Sequence, residues 1–136
     1  MIVVAIMGVI ASIGMMAYSQ YIDTSRAGAV NHNYQLAVRL ARDNYVTAVG
    51  REAMRAQVGD IIPPDSASWV DMLNSGTGRA PSGVPPYEVG VGSNVAGTVG
   101  VVFTGSYAGS DSAVTISRPA YADLPASSTT ISQINF

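Results

Sequence analysis

The residue types that most often carry out catalysis are sparse in this chain. His32 is the only histidine, and it stands between Asn31 and Asn33 with no carboxylate or second ligand at a useful spacing. There is no cysteine, which excludes thiol catalysis, cysteine metal sites and disulfide bonds. We therefore predict that the chain is not an enzyme and interpret His32 as a solvated residue or a subunit contact.

Neither the glycine-rich stretches nor the carboxylates form a binding motif. The stretches GVGSN and GTVG lack the Gly-Lys-Ser/Thr that completes a phosphate loop. Several aspartates lie beyond the first third of the chain, but none belongs to the dense alternating oxygen ligands of a calcium motif. They are Asp60, Asp65, Asp71, Asp111 and Asp123. We expect no cofactor and no bound metal.

The charge distribution argues against a nucleic-acid partner. The net charge is -2 and only 12% of residues are charged, so no basic field surrounds the molecule. Five of the seven basic residues lie between residues 26 and 55, and all seven are arginine. Asp23, Asp43 and Glu52 are interleaved with them, so this cluster gives only a weak indication of a cytoplasmic side.

The elements that would position functional residues begin with an apolar N-terminal helix. From Met1 to Ala17 the only polar side chain is Ser12, and the first charge is Asp23. A secretory signal would carry a basic region first, which is absent. A single-span anchor needs about 20 apolar residues to cross roughly 30 Å of hydrocarbon, whereas the segment from Met1 to Ala17 is only about 25 Å long as a helix. The remaining interpretation is a segment that anchors in a membrane in one state and packs against other helices in another.

The helical pattern continues into an amphipathic half. Apolar residues recur at spacings of three and four, and proline is absent as far as Ile62. The recurring residues are Val30, Tyr34, Ala37, Val38, Ala41, Tyr45, Ala48 and Val49. Arg39 and Asp43 lie off this stripe, one turn apart, as an expected exposed ion pair. We predict one helix of about 80 Å whose C-terminal half packs on a small domain.

The rest of the chain predicts a small α+β head. Asp65 is an expected cap for a short helix that carries Trp69 and Leu73 and ends at Asn74 and Gly76. We interpret Trp69 as an anchor to the sheet rather than a ligand platform. Strands are predicted at Tyr87 to Val91, Thr98 to Thr104, Ala113 to Ser117 and Thr129 to Phe136, joined as an antiparallel sheet.

These elements divide the chain into four parts. Residues 1–22 are the hydrophobic helix, which protrudes, and residues 23–58 are its amphipathic continuation. Residues 59–86 form a connection with a short helix, and residues 87–136 form the sheet and the C-terminal segment. The expected head core is Tyr34, Ala37, Ala41, Tyr45 and Trp69.

The opening stretch MIVVAIMGVIASIGMMAYSQYIDTSR resembles the N-terminal segment of bacterial type IV pilins and their pseudopilin relatives. The stretches SWVDMLNSGTGRAPSGVPPYEVG and AVTISRPAYADL are similar to pilin head segments. The resemblance implies a leader removed by a prepilin peptidase, a methylated new N-terminus and a subunit held in the inner membrane. An assembly platform would then move the helix into the core of an extracellular homopolymeric pilus that serves adhesion or motility.

The resemblance also implies roles for particular residues. The residues expected to pack in the filament core are Ile2, Val3, Ile6, Gly8, Val9, Ile13, Gly14, Met16, Tyr18 and Tyr21. The candidates for polar contacts between subunits are Asp23, Arg26, Arg39 and Arg42.

Two departures from the family pattern leave alternatives open. Pilins usually begin with a phenylalanine and a threonine-leucine-isoleucine-glutamate stretch, so either six mature residues precede Met1 or the protein lacks them. Many members also have a proline where Met16 stands. Without it, both local melting between Gly8 and Met16 and an unbroken helix remain open.

Two other functions compete with a pilus subunit. One is a pseudopilin of a type II secretion or DNA-uptake machine, which makes a short periplasmic filament. The other is a membrane-anchored periplasmic binding module that never polymerises. An ordinary anchor would tolerate leucine at Gly8 and Gly14, whereas a filament core would not.

Overall fold

A computed structural model describes residues 1–55, 61–76, 78–105 and 111–133. The chain forms a long N-terminal helix, a short helix and four strands. In chain order these are α1 (Ile2–Ala53), α2 (Ser66–Asn74), β1 (Tyr87–Val89), β2 (Val99–Thr104), β3 (Ala113–Arg118) and β4 (Ser127–Ser132). The predicted α+β class, with a long helix packed by its C-terminal half on a small sheet, is confirmed.

Helix α1 has two halves with opposite surroundings. Its 52 residues span about 78 Å, and no break occurs between Gly8 and Met16. Up to Arg26 every side chain is exposed except Ile22, which is half-buried. Beyond that point, buried residues recur every three or four positions, at Ala27, Val30, Asn33, Tyr34, Ala37, Ala41, Tyr45 and Ala48. The alanines on this stripe let the helix lie close to the sheet.

Helix α1 ends earlier than predicted. The expected boundary was residue 58, but the helix stops at Ala53 and Met54 forms its C-cap. Arg55 adopts a left-handed φ of 56°, a conformation that ends a helix. The predicted stop signal, Gly59 and Asp60, lies outside the described residues.

Helix α2 begins and ends where its caps predict. The Asp65 carboxylate accepts a 2.7 Å hydrogen bond from the Ser68 backbone N–H, as expected of an N-cap. This hydrogen bond lowers the pKa of Asp65. Trp69 and Leu73 are buried, so α2 covers the part of the sheet formed by β1 and β2, next to α1.

The four strands are ordered β1-β2-β3-β4, but the sheet is mixed. The pairs β2/β3 and β3/β4 are antiparallel, whereas β1 pairs with β2 in parallel, with Tyr87 opposite Val99. The expectation of an entirely antiparallel sheet was therefore wrong. Parallel strands usually need a connection of a dozen or more residues, and here residues 90–98 suffice. They do so because the chain passes directly over Gly100, where a Cβ would lie 2.2 Å from the Gly90 oxygen.

The head core lies between one face of this sheet and the two helices. The sheet contributes Val99, Val101, Val114, Ile116 and Ile131, all buried. On the opposite, exposed face of the sheet, one hydrogen bond of 2.9 Å joins the side-chain hydroxyls of Thr115 and Thr130. The fourth strand begins before the predicted Thr129, and residues 134–136 of that prediction lie outside the described residues.

Candidate interaction surface

The protruding half of α1 is the largest feature that the folded head does not use. All ten residues expected in a filament core are exposed, and the large apolar ones among the first ten positions range from 53% exposed at Ile6 to 77% at Ile2. Further along, Ile13, Met16, Tyr18 and Tyr21 are likewise exposed. A continuous apolar surface of this extent is not stable in water and marks contact with lipid or protein.

By length and composition, α1 is able to cross a membrane. Its most apolar stretch is 0% buried within the chain, so the head does not compete for it. The same property suits packing against other helices. Length and hydropathy alone therefore leave both surroundings open.

Two glycines on this half are not needed by the monomer. A Cβ placed on Gly8 or Gly14 meets no atom of the described chain within 4 Å. Each glycine nevertheless costs about 1 kcal/mol of helix propensity relative to alanine. A small residue at such an open position leaves room for another helix to approach closely.

The four candidate polar contacts lie on exposed parts of α1. Asp23 and Arg26 are located where the protruding half enters the head, and Arg39 and Arg42 lie on the outer side of the packed half. Asp23 also lines a cleft of about 280 Å³ between α1 and the turn that contains Asp123 and Leu124. The structure brings Asp23 close to the head but leaves both Arg39 and Arg42 in solvent.

The expected ion pair between Arg39 and Asp43 is not formed. Within residues 1–55, 61–76, 78–105 and 111–133, no side-chain ion pair occurs at all. The reason is energetic, because an exposed pair contributes 1 kcal/mol or less. An acidic residue placed after its basic partner along a helix is also the less favourable order.

Arg118 contacts α1 at the point where the helix first packs on the head. Its guanidinium donates hydrogen bonds to the Asn31 side-chain oxygen and, over 2.8 Å, to the Pro125 carbonyl oxygen. It also lies 5.3 Å from the ring centroid of Tyr34, whose hydroxyl is 2.5 Å from that of Thr129. The role of Arg118 could not be predicted from the sequence, because no spacing rule links a strand-end arginine to a helix residue 87 positions away.

The five expected head-core residues come together. Tyr34, Ala37, Ala41 and Tyr45 lie on the buried stripe of α1, and Trp69 is fully buried. The rings of Trp69 and Tyr45 stack with centroids 6.2 Å apart and planes 12° apart. Trp69 therefore joins α2 to α1 as a packing anchor.

Tyr87 adds a polar contact to this core. Its hydroxyl donates a 2.8 Å hydrogen bond to the backbone oxygen of Asn33, which links β1 to α1. Burial raises the pKa of Tyr87 to about 12. The phenol is therefore neutral at physiological pH and acts as a donor.

The groups that carry acid-base or metal chemistry do not converge in the described part of the chain. His32 is exposed on α1. No three His, Cys, Asp or Glu residues among the described ones could hold a metal ion. A groove of about 560 Å³ beside the ends of β3 and β4 contains Arg118, Asn94 and three serines, but no carboxylate or imidazole from the described residues.

In comparisons with known proteins, no protein-family model, no curated protein and no solved structure matches this chain.

Proposed function

We propose that this chain is the structural subunit of a type IV pilin-like filament, which polymerises through the protruding half of α1. The observation that carries the proposal is the contrast within one helix. Residues 27–48 are buried in the head every third or fourth position, while residues 1–21 are exposed and almost entirely apolar. The N-terminal stretch that resembles pilins coincides with this exposed half.

The proposed mechanism is a transfer of the helix between two apolar surroundings. Before assembly, the protruding half lies in the inner membrane; after assembly, it lies at the axis of an extracellular filament. Because apolar burial changes little between lipid and a helix bundle, close packing and polar contacts must favour the assembled state. Gly8 and Gly14 support this account, since they reduce side-chain bulk at no benefit to the monomer.

By the same resemblance, assembly would use a prepilin peptidase and an inner-membrane platform. The unassembled subunit would remain in the membrane, consistent with a helix able to span it. Copies of the same chain would be the main partner.

The test uses cells that produce the chain, sheared to release surface filaments. Wild-type protein is expected in the released fraction. Replacing both Gly8 and Gly14 with leucine should abolish release but leave the protein in the membrane, because the bulky side chains prevent close helix packing. The matched variant with alanine at both positions should retain part of the release.

The alternatives give different outcomes. A membrane-anchored binding module predicts no released filament for the wild type and no effect of either substitution. A pseudopilin predicts oligomers that can be crosslinked in the periplasm, with nothing released by shearing. Release of thin filaments that contain the chain would contradict both.

A further inference from the structure

The charged part of α1 carries a net positive charge, and the rest of the head carries a net negative charge. From Asp23 to Arg55, α1 and its end carry five arginines against three acidic residues, a net charge of +2. From residue 56 onwards, two arginines accompany six acidic residues, a net charge of -4. No ion pair between these groups forms within the described residues of one copy. The opposite charges are thus available to a second copy.

The basic surface is the outer face of α1 in the head. Arg39 and Arg42 are exposed there, and neither makes a hydrogen bond or ion pair within the described residues. Asp43 is exposed on the same face, one turn from Arg39, so the three charged side chains give a net charge of +1. Leu36, three residues before Arg39, is 41% exposed at the border of this face. This outer face combines a net positive charge with an apolar side chain that the head leaves uncovered.

The acidic surface is the exposed side of α2. Asp65 at its N-cap and Asp71 within it are exposed, and Ala67 lies one turn before Asp71. The helix and its cap contain no basic residue. The Asp71 carboxylate has no partner among the described residues.

The two surfaces lie on different sides of the head. Asn44 of α1 contacts α2 through a 3.4 Å hydrogen bond to the Met72 sulfur. Residues two positions apart on a helix are about 200° apart, so Arg42 points away from α2. Arg39 lies about 140° from Asn44 by the same geometry. Arg39 and Arg42 therefore point away from the α2 carboxylates of their own copy.

We propose that the outer face of α1, with Arg39 and Arg42, docks on the acidic side of α2 of a second copy of this chain. This contact rests on the proposed filament function and specifies which head surfaces meet. Because the two surfaces differ, the contact is heterologous, and repeated heterologous contacts build open helical filaments rather than closed dimers. Complementary charge sets the register of such a contact, and the neighbouring Leu36 adds buried apolar area.

Charge reversal tests this contact in the full chain, with the sheared fraction as the readout. Arg42→Glu should lower the released protein by about tenfold or more, because each contact exchanges an attraction for a repulsion. Asp71→Arg should do the same, and the double variant should restore release. Arg51→Glu is the matched control and should leave release unchanged, since Arg51 is exposed and lies two turns from Asn44, on the side of α1 that faces its own α2.

The outcomes separate this contact from the filament function. If the wild type releases no filament, the proposed function fails and the contact fails with it. If the wild type releases filaments and Arg42→Glu releases as much, or the double variant is no better than its single parents, the contact alone is overturned.

Cysteine crosslinking gives a second measurement that does not depend on yield. The chain has no cysteine of its own, so Arg42→Cys with Asp71→Cys introduces the only two thiols. Mild oxidation of released filaments should give a ladder of multimers for the pair and monomers for each single variant. Monomers from the pair, or dimers from a single variant, would overturn a heterologous contact between these faces.

Discussion

The hydroxyl of Tyr87 on β1 donates a 2.8 Å hydrogen bond to the backbone oxygen of Asn33 on α1. The same asparagine donates through its side chain to the Arg79 carbonyl oxygen over 3.2 Å. Two segments of the head that follow α2 in the chain are thus attached to a single point on the long helix. The head is held on α1 by specific polar contacts as well as by apolar burial.

The raised pKa of Tyr87 predicts loss of stability at alkaline pH. Tyrosine ionises near pH 10 in an unfolded chain and near pH 12 in this fold, so the unfolded state gains by ionising first. The contribution of Tyr87 should be complete below pH 10 and decline as the pH rises to 12. Urea unfolding of the full chain in detergent, followed by Trp69 fluorescence, measures this decline. Tyr87→Phe should reduce it, and an unchanged decline in that variant would contradict the assignment.

Asn74 should prove essential for the edge of the sheet. Its side chain accepts a hydrogen bond from the Tyr87 backbone N–H and donates one to the Tyr87 carbonyl oxygen, both 3.1 Å long. These bonds occupy backbone groups at the outer edge of β1, which would otherwise be open to pairing with another strand. Asn74→Ala should lower the free energy of unfolding by about 1–3 kcal/mol.

Asn74→Asp is the informative companion, because it keeps the acceptor and loses the donor. We expect it to destabilise the head as well, since a carboxylate would face the Tyr87 carbonyl oxygen. Hydrogen exchange at the Tyr87 amide should increase more in the alanine variant than in the aspartate variant. Equal protection in wild type and both variants would show that the side chain does not bind this edge.

Trp69 should be the most sensitive position of the head core. It is fully buried and stacks on Tyr45, so truncation removes contacts between both helices and leaves a cavity. Trp69→Ala should cost about 3–5 kcal/mol of unfolding free energy, measured by circular dichroism. Trp69→Phe should cost less, because it keeps an aromatic ring. Leu40→Ala, at an exposed position of α1, should change stability by no more than about 0.5 kcal/mol.

Arg118 should not be replaceable by lysine. Its planar guanidinium reaches the Asn31 side chain and the Pro125 carbonyl at once while lying over Tyr34, and an ammonium group cannot span these partners. Arg118→Lys should destabilise the head by about 1–2 kcal/mol. Arg79→Lys is the control, since among the described residues the Arg79 side chain makes a single hydrogen bond, which is exposed, to the Gly83 carbonyl oxygen. Equal effects of the two variants would contradict a clamping role for Arg118.

The sequence pattern predicted the parts of this fold that depend on periodic burial. The stripe from Val30 to Ala48 identified the face of α1 that meets the sheet, and Asp65 marked the start of α2. The parallel pairing of β1 could not be predicted, because alternation of side chains does not encode strand direction. It depends on a close backbone crossing at Gly100 that becomes visible only in three dimensions.

For the interaction surface as well, some features could be predicted from the sequence and others could not. The exposure of residues 1–21 follows from composition and from the small size of the head, and both were available from the sequence. The location of Arg42 relative to α2 could not be predicted from the sequence, because it depends on the contact between Asn44 and Met72 in the folded chain. The Arg118 contacts were missed for a similar reason, since they join residues distant in the chain.

Electron cryomicroscopy of filaments sheared from cells that produce this chain tests the central claim most directly. We expect thin helical filaments in which residues 1–22 of successive copies pack around the axis, with the heads outside. Mass spectrometry of the same sample should identify the chain and its N-terminal residue. If shearing releases no filament and the protein remains a monomer in the membrane, the proposal of a filament subunit is contradicted.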